Sequence, residues 1–252
     1  MTAALSPNNP RVKRLARLIR DRSARRDEHT LVVDGPRALR TFVDCGVQLE
    51  AVFTDDLARE DVDFVDPALL HLVERQVLDR ISDAASAQGV LATASFTAIG
   101  LADLNDAPVI VLLDGVQDPG NVGAVVRVAA ATGAGVVVAN GSADPYSPRA
   151  VRASAGTVAA TRVVDGVSAA DALQHFGSAG FSRIGAAMSG GVDLGELDTA
   201  KPVVVVLGSE GAGLSAEIAP LLDGHVTLTM RAPVESLNVA VTAGIVLYQL
   251  RS

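Results

Sequence analysis

Three uninterrupted apolar runs constrain this chain most: Pro108-Val109-Ile110-Val111-Leu112-Leu113, Gly135-Val136-Val137-Val138-Ala139 and Val203-Val204-Val205-Val206-Leu207. A strand with one wet face alternates apolar and polar residues, whereas a strand apolar throughout is covered on both faces, as inside a parallel sheet. Weaker strands are expected at 182–187 and near 225–228. Helical stretches fall between them at 121–133, 147–154, 169–177 and 236–250. Strands alternating with helices predict an α/β unit, a parallel sheet with helices on both faces. No internal repeat or low-complexity tract is present.

The first hundred residues read differently. Ser6-Pro7-Asn8-Asn9-Pro10 is turn chemistry, and it leads into a helix with Val12, Leu15, Ala16 and Ile19 at i, i+3, i+4, i+7 spacing. The opposite face carries Arg11, Lys13, Arg14, Arg17 and Arg20, and the basic run continues through Arg22, Arg25 and Arg26. A strand at 30–33 ends at Asp34-Gly35, a helix starts at Pro36, and a further strand follows at 49–53. This is a smaller α/β domain over 1–98. The polar segment 99–107 reads as a linker, and the main unit spans 108–252.

The net charge of −8 hides an asymmetry. Residues 1–40 hold ten Arg or Lys against four Asp or Glu, a local +6, so the rest of the chain carries −14. A basic segment on an acidic protein marks a directed contact with a polyanion better than the overall balance does. Arginine outnumbers lysine there, which suits forked contacts to phosphates and bases. Arg149 and Arg152, with Ser154, place similar donors at a later loop-to-helix junction.

Other classes are disfavoured. The single Cys45 excludes an internal disulfide and a cysteine-based metal cage, and a small buried hydrophobe is the expected role for it. The four histidines, His29, His71, His175 and His225, lack metal spacing and are expected to be structural, so no metal is expected. No run has the roughly 18 apolar residues of a membrane span, and the arginine-followed N-terminus lacks a secretory signal pattern, so a soluble cytoplasmic protein is expected.

Three polar loops carry the chemistry, the first two glycine-bearing and the third built on a proline turn. The first, Asp118-Pro119-Gly120-Asn121, opens a helix that contains Arg127 among Ala124, Val125, Val126, Val128 and Ala129. An arginine in so apolar a helix is expected to need a partner, since an unpaired buried charge costs on the order of several kcal/mol. The second, Gly208-Ser209-Glu210-Gly211-Ala212-Gly213, follows a buried strand. It lacks the Gly-Lys-Ser/Thr ending of a phosphate-binding loop and the Gly-x-Gly-x-x-Gly dinucleotide pattern, and Glu210 would repel a pyrophosphate. The third runs from Met230 through Pro233 to Ser236-Leu237-Asn238 and into the last helix.

Taken together, Asn121 with Arg127, Gly208-Ser209-Glu210-Gly211-x-Gly213-Leu214, and Met230 through Ser236-Leu237-Asn238-Val239-Ala240 closely resemble the three motifs of the SpoU/TrmH family of SPOUT methyltransferases. The likeness covers 108–252. Residues 1–98 are similar to the family's ribosomal-protein-like (L30e-like) RNA substrate-binding domain, with Asn9-Pro10 and Lys13 opening the basic helix, although Asp34 stands where a glutamate is more usual.

The resemblance implies a C-terminal α/β trefoil-knot domain that forms a homodimer and methylates a ribose 2′-hydroxyl of RNA with S-adenosylmethionine. Asn121, Arg127, Glu210, Ser236 and Asn238 would form the catalytic centre. Ala187, Leu207, Gly208, Glu210, Gly211, Leu228, Met230, Ser236 and Leu237 would hold the cofactor, and Asn121 and Glu210 would orient Arg127 or Ser236. Arg11, Lys13, Arg14, Arg17, Arg25, Arg149 and Arg152 are the expected RNA contacts. Ribosomal RNA, 23S in particular, is the favoured substrate over transfer RNA. Rival readings are an RNA-binding protein that keeps the fold without catalysis, and a nicotinamide-dependent oxidoreductase, which the missing glycine fingerprint disfavours.

Overall fold

The computed structural model describes residues 4–82, 88–197, 200–209, 211 and 213–251. Contacts divide the chain into two compact units, Met1–Ala98 with Tyr146–Ala160, and Ile99–Pro145 with Thr161–Ser252.

The first unit opens with α1 (Pro10–Arg20), whose N-cap Asn9 accepts a hydrogen bond from the Arg11 backbone N–H while Pro10 occupies the first turn. Its buried face is Val12, Leu15, Leu18 and Ile19. There follow α2 (Arg22–Asp27), β1 (Thr30–Asp34), α3 (Pro36–Asp44), β2 (Leu49–Thr54), β3 (Leu70–Leu72), α4 (Arg75–Ile81) and β4 (Val90–Ser95). The sheet order is β1-β4-β2-β3, with β4 antiparallel to β1 and β2, and β3 parallel to β2. The apolar stripe of α1 packs on Val32, Phe53 and Leu91 of this sheet.

Two expectations are corrected here. Cys45 is exposed at the C-cap of α3, not buried. Arg25 is only 4% exposed, and its Nη1 donates to the carbonyls of Leu18 (2.6 Å) and Ile19 (3.2 Å). Its charge closes the C-terminal turn of α1, where orphan carbonyls need donors, and lies buried instead of on the surface. Arg25→Ala should therefore lower stability by about 1–3 kcal/mol, because buried carbonyls lose their donor. Thermal melting checks this, and an unchanged melting temperature would contradict the capping role.

The second unit is built on β5 (Val109–Asp114), α5 (Pro119–Thr132) and β6 (Gly135–Ala139). The chain then leaves for α6 (Pro148–Ala153), which packs on β1 within the first unit, and returns as β7 (Val163–Val167), α7 (Ala169–Ser178), β8 (Ser182–Ala187), β9 (Val192–Asp193), β10 (Val203–Gly208), β11 (Gly224–Thr227) and α8 (Val239–Leu250). The seven strands are all parallel in the order β7-β6-β5-β10-β8-β11-β9. The apolar runs are β5, β6 and β10, with every residue of β5 and β6 buried. On one face Leu173 and Phe176 of α7 pack against Ile110, Leu112, Val204 and Val206. At roughly 1.5–3 kcal/mol for each buried Val, Leu, Ile or Phe, such layers hold the sheet together. α5 and α8 pack on each other, α5 against β6 and α8 against β5 and β10.

Three further differences from the sequence reading have local causes. Residues 99–107 are more than a linker, since Leu101–Leu104 form a 3-10 turn with Leu104 and Ala107 buried in the second unit. Only the first two residues of β7 are buried, so no apolar run announced it. The last helix starts at Val239 and not 236, because Asn238 is its cap.

Candidate active site

In a parallel α/β sheet the crevice beyond the carboxyl ends of the strands is the usual ligand site. Here the segments following β8, β10 and β11 enclose a cavity of about 380 Å³. Ala187, Leu207, Gly208, Gly211, Leu228, Met230, Ser236 and Leu237, all expected to hold the cofactor, line it together. Glu210, expected in both the cofactor and catalytic sets, lies outside the described residues. Met188, His225, Thr242 and Val246 also line the cavity. No motif marks them in the sequence: Thr242 and Val246 belong to the ordinary apolar pattern of α8, Met188 follows β8, and His225 reads as structural.

Glycine shapes the wall. The backbones of Ser209 and Gly213 exchange two hydrogen bonds, Ser209 N to Gly213 O (3.0 Å) and the reverse (2.9 Å), so the chain doubles back within four residues. A Cβ on Gly208 would sit 2.2 Å from the Gly213 carbonyl carbon and oxygen, so only glycine fits. The returning chain is held by buried Asp114, whose carboxylate accepts from the Ser215 backbone N–H at 2.7 Å.

Beside the cavity, two helix N-termini are joined. Asn238, between the lining residues Leu237 and Val239, accepts from the N–H groups of Ala240 (2.9 Å) and Val241 (3.4 Å) and so caps α8. Its Nδ2 donates to Oδ1 of Asn121 at 3.0 Å. Asn121 lies in the first turn of α5, whose N-cap Asp118 accepts from Gly120. Each N-terminus carries partial positive charge. Ser236 is exposed on the cavity wall.

Arg127 departs from expectation: it is exposed, and it has no hydrogen bond or ion pair with a described residue. The apolar residues around it bury the other sides of α5, namely Val122, Val125, Val126 and Ala129. Its charge stays in water and costs no desolvation.

The cavity fits S-adenosylmethionine chemically. Its walls offer leucine, valine and methionine side chains for a flat apolar group, interrupted by glycine backbone that can present N–H and C=O groups. No described lysine or arginine lines it to oppose a sulfonium cation.

The predicted RNA contacts divide into two groups. Lys13 and Arg149 are exposed, and Arg11 is exposed beside His71. Burial and the Arg11 charge both push the His71 pKa below its ordinary value. Arg14 is committed to Glu28 (2.6 Å) and Glu50 (2.8 Å), and Arg17 pairs with Glu28. Arg152 pairs at 2.7 Å with buried Asp34, which also accepts from Ser82. Charge counting could not distinguish these arginines because their carboxylate partners lie 11 to 118 residues away.

Residues 108–248 match the model of the SpoU rRNA methylase family. The chain belongs to that family. Residues 9–92 match an MRM3-like substrate-binding domain. An uncharacterized tRNA/rRNA methyltransferase of Synechocystis is 30% identical over 98% of this SpoU-family chain and 92% of its own length. One from Mycobacterium avium is 33% identical over 98% and 85%. Among solved structures, the SpoU methyltransferase AviRb of Streptomyces viridochromogenes in complex with AdoMet superposes with a TM-score of 0.84, at 28% identity over 96% of this chain and 97% of AviRb. The AdoMet-bound rRNA methyltransferase of Sinorhizobium meliloti gives 0.84 at 28% identity over 98% and 96%. A structure described as an RNA 2′-O ribose methyltransferase gives 0.79 at 28% identity over 98% and 97%. The protein is thus a SpoU-family RNA methyltransferase of the SPOUT fold, with the family's N-terminal substrate-binding domain.

Proposed function

We propose that this chain methylates a ribose 2′-hydroxyl of 23S ribosomal RNA, with S-adenosylmethionine in the cavity, as a cytoplasmic homodimer. The observation that carries the reading is the Asn121–Asn238 hydrogen bond, which ties the N-terminal turns of α5 and α8 together at the wall of a cavity suited to the cofactor. The neighbours that align over both units include one described as an rRNA methyltransferase and one as an RNA 2′-O ribose methyltransferase, which supports this substrate and acceptor.

Bound S-adenosylmethionine supplies a methyl group already activated on a sulfonium. The chain's task is the acceptor. A ribose hydroxyl is a poor nucleophile, and negative charge builds on its oxygen as it attacks, so a fixed positive group there lowers the barrier. Arg127, with no described partner to neutralise it, fills that role and grips the adjoining phosphate. A guanidinium does not give up its proton in proteins. The hydroxyl proton therefore passes to that phosphate or to water. Asn121 and Asn238 hold the two helix starts in register, Ser236 adds a hydroxyl at the cavity wall, and Leu207, Leu228 and Leu237 keep water from the methyl donor.

The homodimer is supported by α8, which exposes Val241, Ile245 and Tyr248 at i, i+4 and i+7, an apolar stripe on one helix face.

Labelled S-adenosylmethionine offered with unmodified ribosomal RNA and transfer RNA, followed by nucleoside digestion and mass identification, tests the function. A 2′-O-methylnucleoside from ribosomal RNA is expected. Label on a base, or in transfer RNA alone, would refute the proposal.

A further inference from the structure

The first unit has a pocket of about 230 Å³ between α1 and the sheet. Arg11 and Arg14 come to it from α1, Glu50 and Phe53 from β2, His71 from β3, and Thr93 from β4. The Thr93 hydroxyl is buried, its residue 1% exposed, and it has no hydrogen-bond partner among the described residues. A buried hydroxyl left unpaired in a central strand is unfavourable, and a ligand in the pocket would satisfy it.

The other walls say what kind of ligand. An Arg11 Nη1 lies 3.0 Å from Nε2 and 3.3 Å from Nδ1 of His71, whose ring packs at 5.5 Å from that of Phe53. Two planar groups, the exposed Arg11 guanidinium and the imidazole beside it, thus meet at the pocket, and flat groups of this kind are ones against which unstacked bases rest. Glu50 keeps a carboxylate at the same pocket, anchored by Arg14 (2.8 Å) and the Thr30 hydroxyl (2.9 Å). A carboxylate repels a bare phosphate but accepts from the N–H edge of a base. Resting on the reading of the chain as an RNA methyltransferase, we propose that this pocket binds one unpaired nucleobase of the RNA substrate, stacked at Arg11 and His71 and hydrogen-bonded to Thr93 and Glu50.

Thr93→Val keeps the shape and removes the orphan hydroxyl. In the full chain it should hold or raise the melting temperature while raising KM for the methylated RNA transcript by roughly fivefold, the weight of one hydrogen bond, with kcat unchanged. A purely structural threonine would not move KM in a protein that became no less stable. Arg11→Gln combined with His71→Ala should raise KM by about tenfold or more, the order of a lost stacking platform. Unchanged KM in both variants overturns the proposal. So does Thr93-dependent binding of free AMP, GMP, CMP or UMP, followed by NMR, with KM for RNA unmoved, since the pocket would then serve a free nucleotide. An unaltered protein that neither binds nor methylates any RNA would refute the RNA reading itself, a failure visible before any variant is made.

Discussion

Arg127→Ala is expected to lower kcat for methyl transfer by a factor of roughly 10² to 10³, the usual loss when a single fixed donor to a developing oxyanion is removed. The protein should otherwise be intact. Arg127 is exposed and its neighbours in α5 make the buried contacts, so its melting temperature should match that of the unaltered chain. S-adenosylmethionine affinity should also hold, because Arg127 is absent from the cavity lining. The conservative variant is the sharper probe. Lysine keeps the charge and loses the planar fork, so Arg127→Lys should fall close to the alanine variant if the guanidinium contacts oxygen and phosphate at once. A loss of only about tenfold would reduce its role to that of a point charge. Single-turnover rates at saturating RNA and cofactor make the comparison.

Gly208→Ala should have the second large effect, on the cofactor site and not on the acceptor. The added methyl would meet the Gly213 carbonyl carbon and oxygen at 2.2 Å, and these are backbone atoms of a loop closed by its own pair of hydrogen bonds. Nothing there can swing aside as a side-chain end would. Either the 209–213 turn opens or β10 is displaced at its end, and both outcomes move Leu207 and Ser209 of the cavity wall. S-adenosylmethionine binding by calorimetry should weaken at least tenfold, with a lower melting temperature. Gly211→Ala is the control, because a Cβ there meets nothing within 4 Å and the protein should melt as before. Undiminished binding in Gly208→Ala would show that the turn does not shape the site.

Much of the fold was legible from short-range pattern alone. Continuous apolar runs announced β5, β6 and β10, the i, i+3, i+7 spacing announced α1, and the helix expected at 121–133 is α5, Pro119–Thr132, which starts at its Asp118 cap and stops before the left-handed Gly133. The cavity lining was legible by another route, the resemblance of the three motifs to those of the SpoU/TrmH family, which implied Leu207, Gly208, Gly211, Leu228, Met230 and Leu237 for the cofactor; lining positions such as Met188 and Thr242 lie outside those motifs. These signals lie within one element or the turn after it.

What the sequence left open depended on partners far along the chain. Only tertiary structure made the segment 146–160 part of the first unit and set Arg152 against Asp34, 118 residues away. It also joined Asn238 to Asn121 across 117 residues, turned Arg25 inward onto the carbonyls of α1 while leaving Arg127 in water, and exposed Cys45. Periodicity records which face of an element is apolar, so it determined the strongly apolar strands and the main helices, and missed β7, whose burial stops after two residues. Which charge is neutralised, which helix starts are tied and which hydroxyl is left without a partner depend on the element that packs opposite, and packing between distant segments leaves no local pattern.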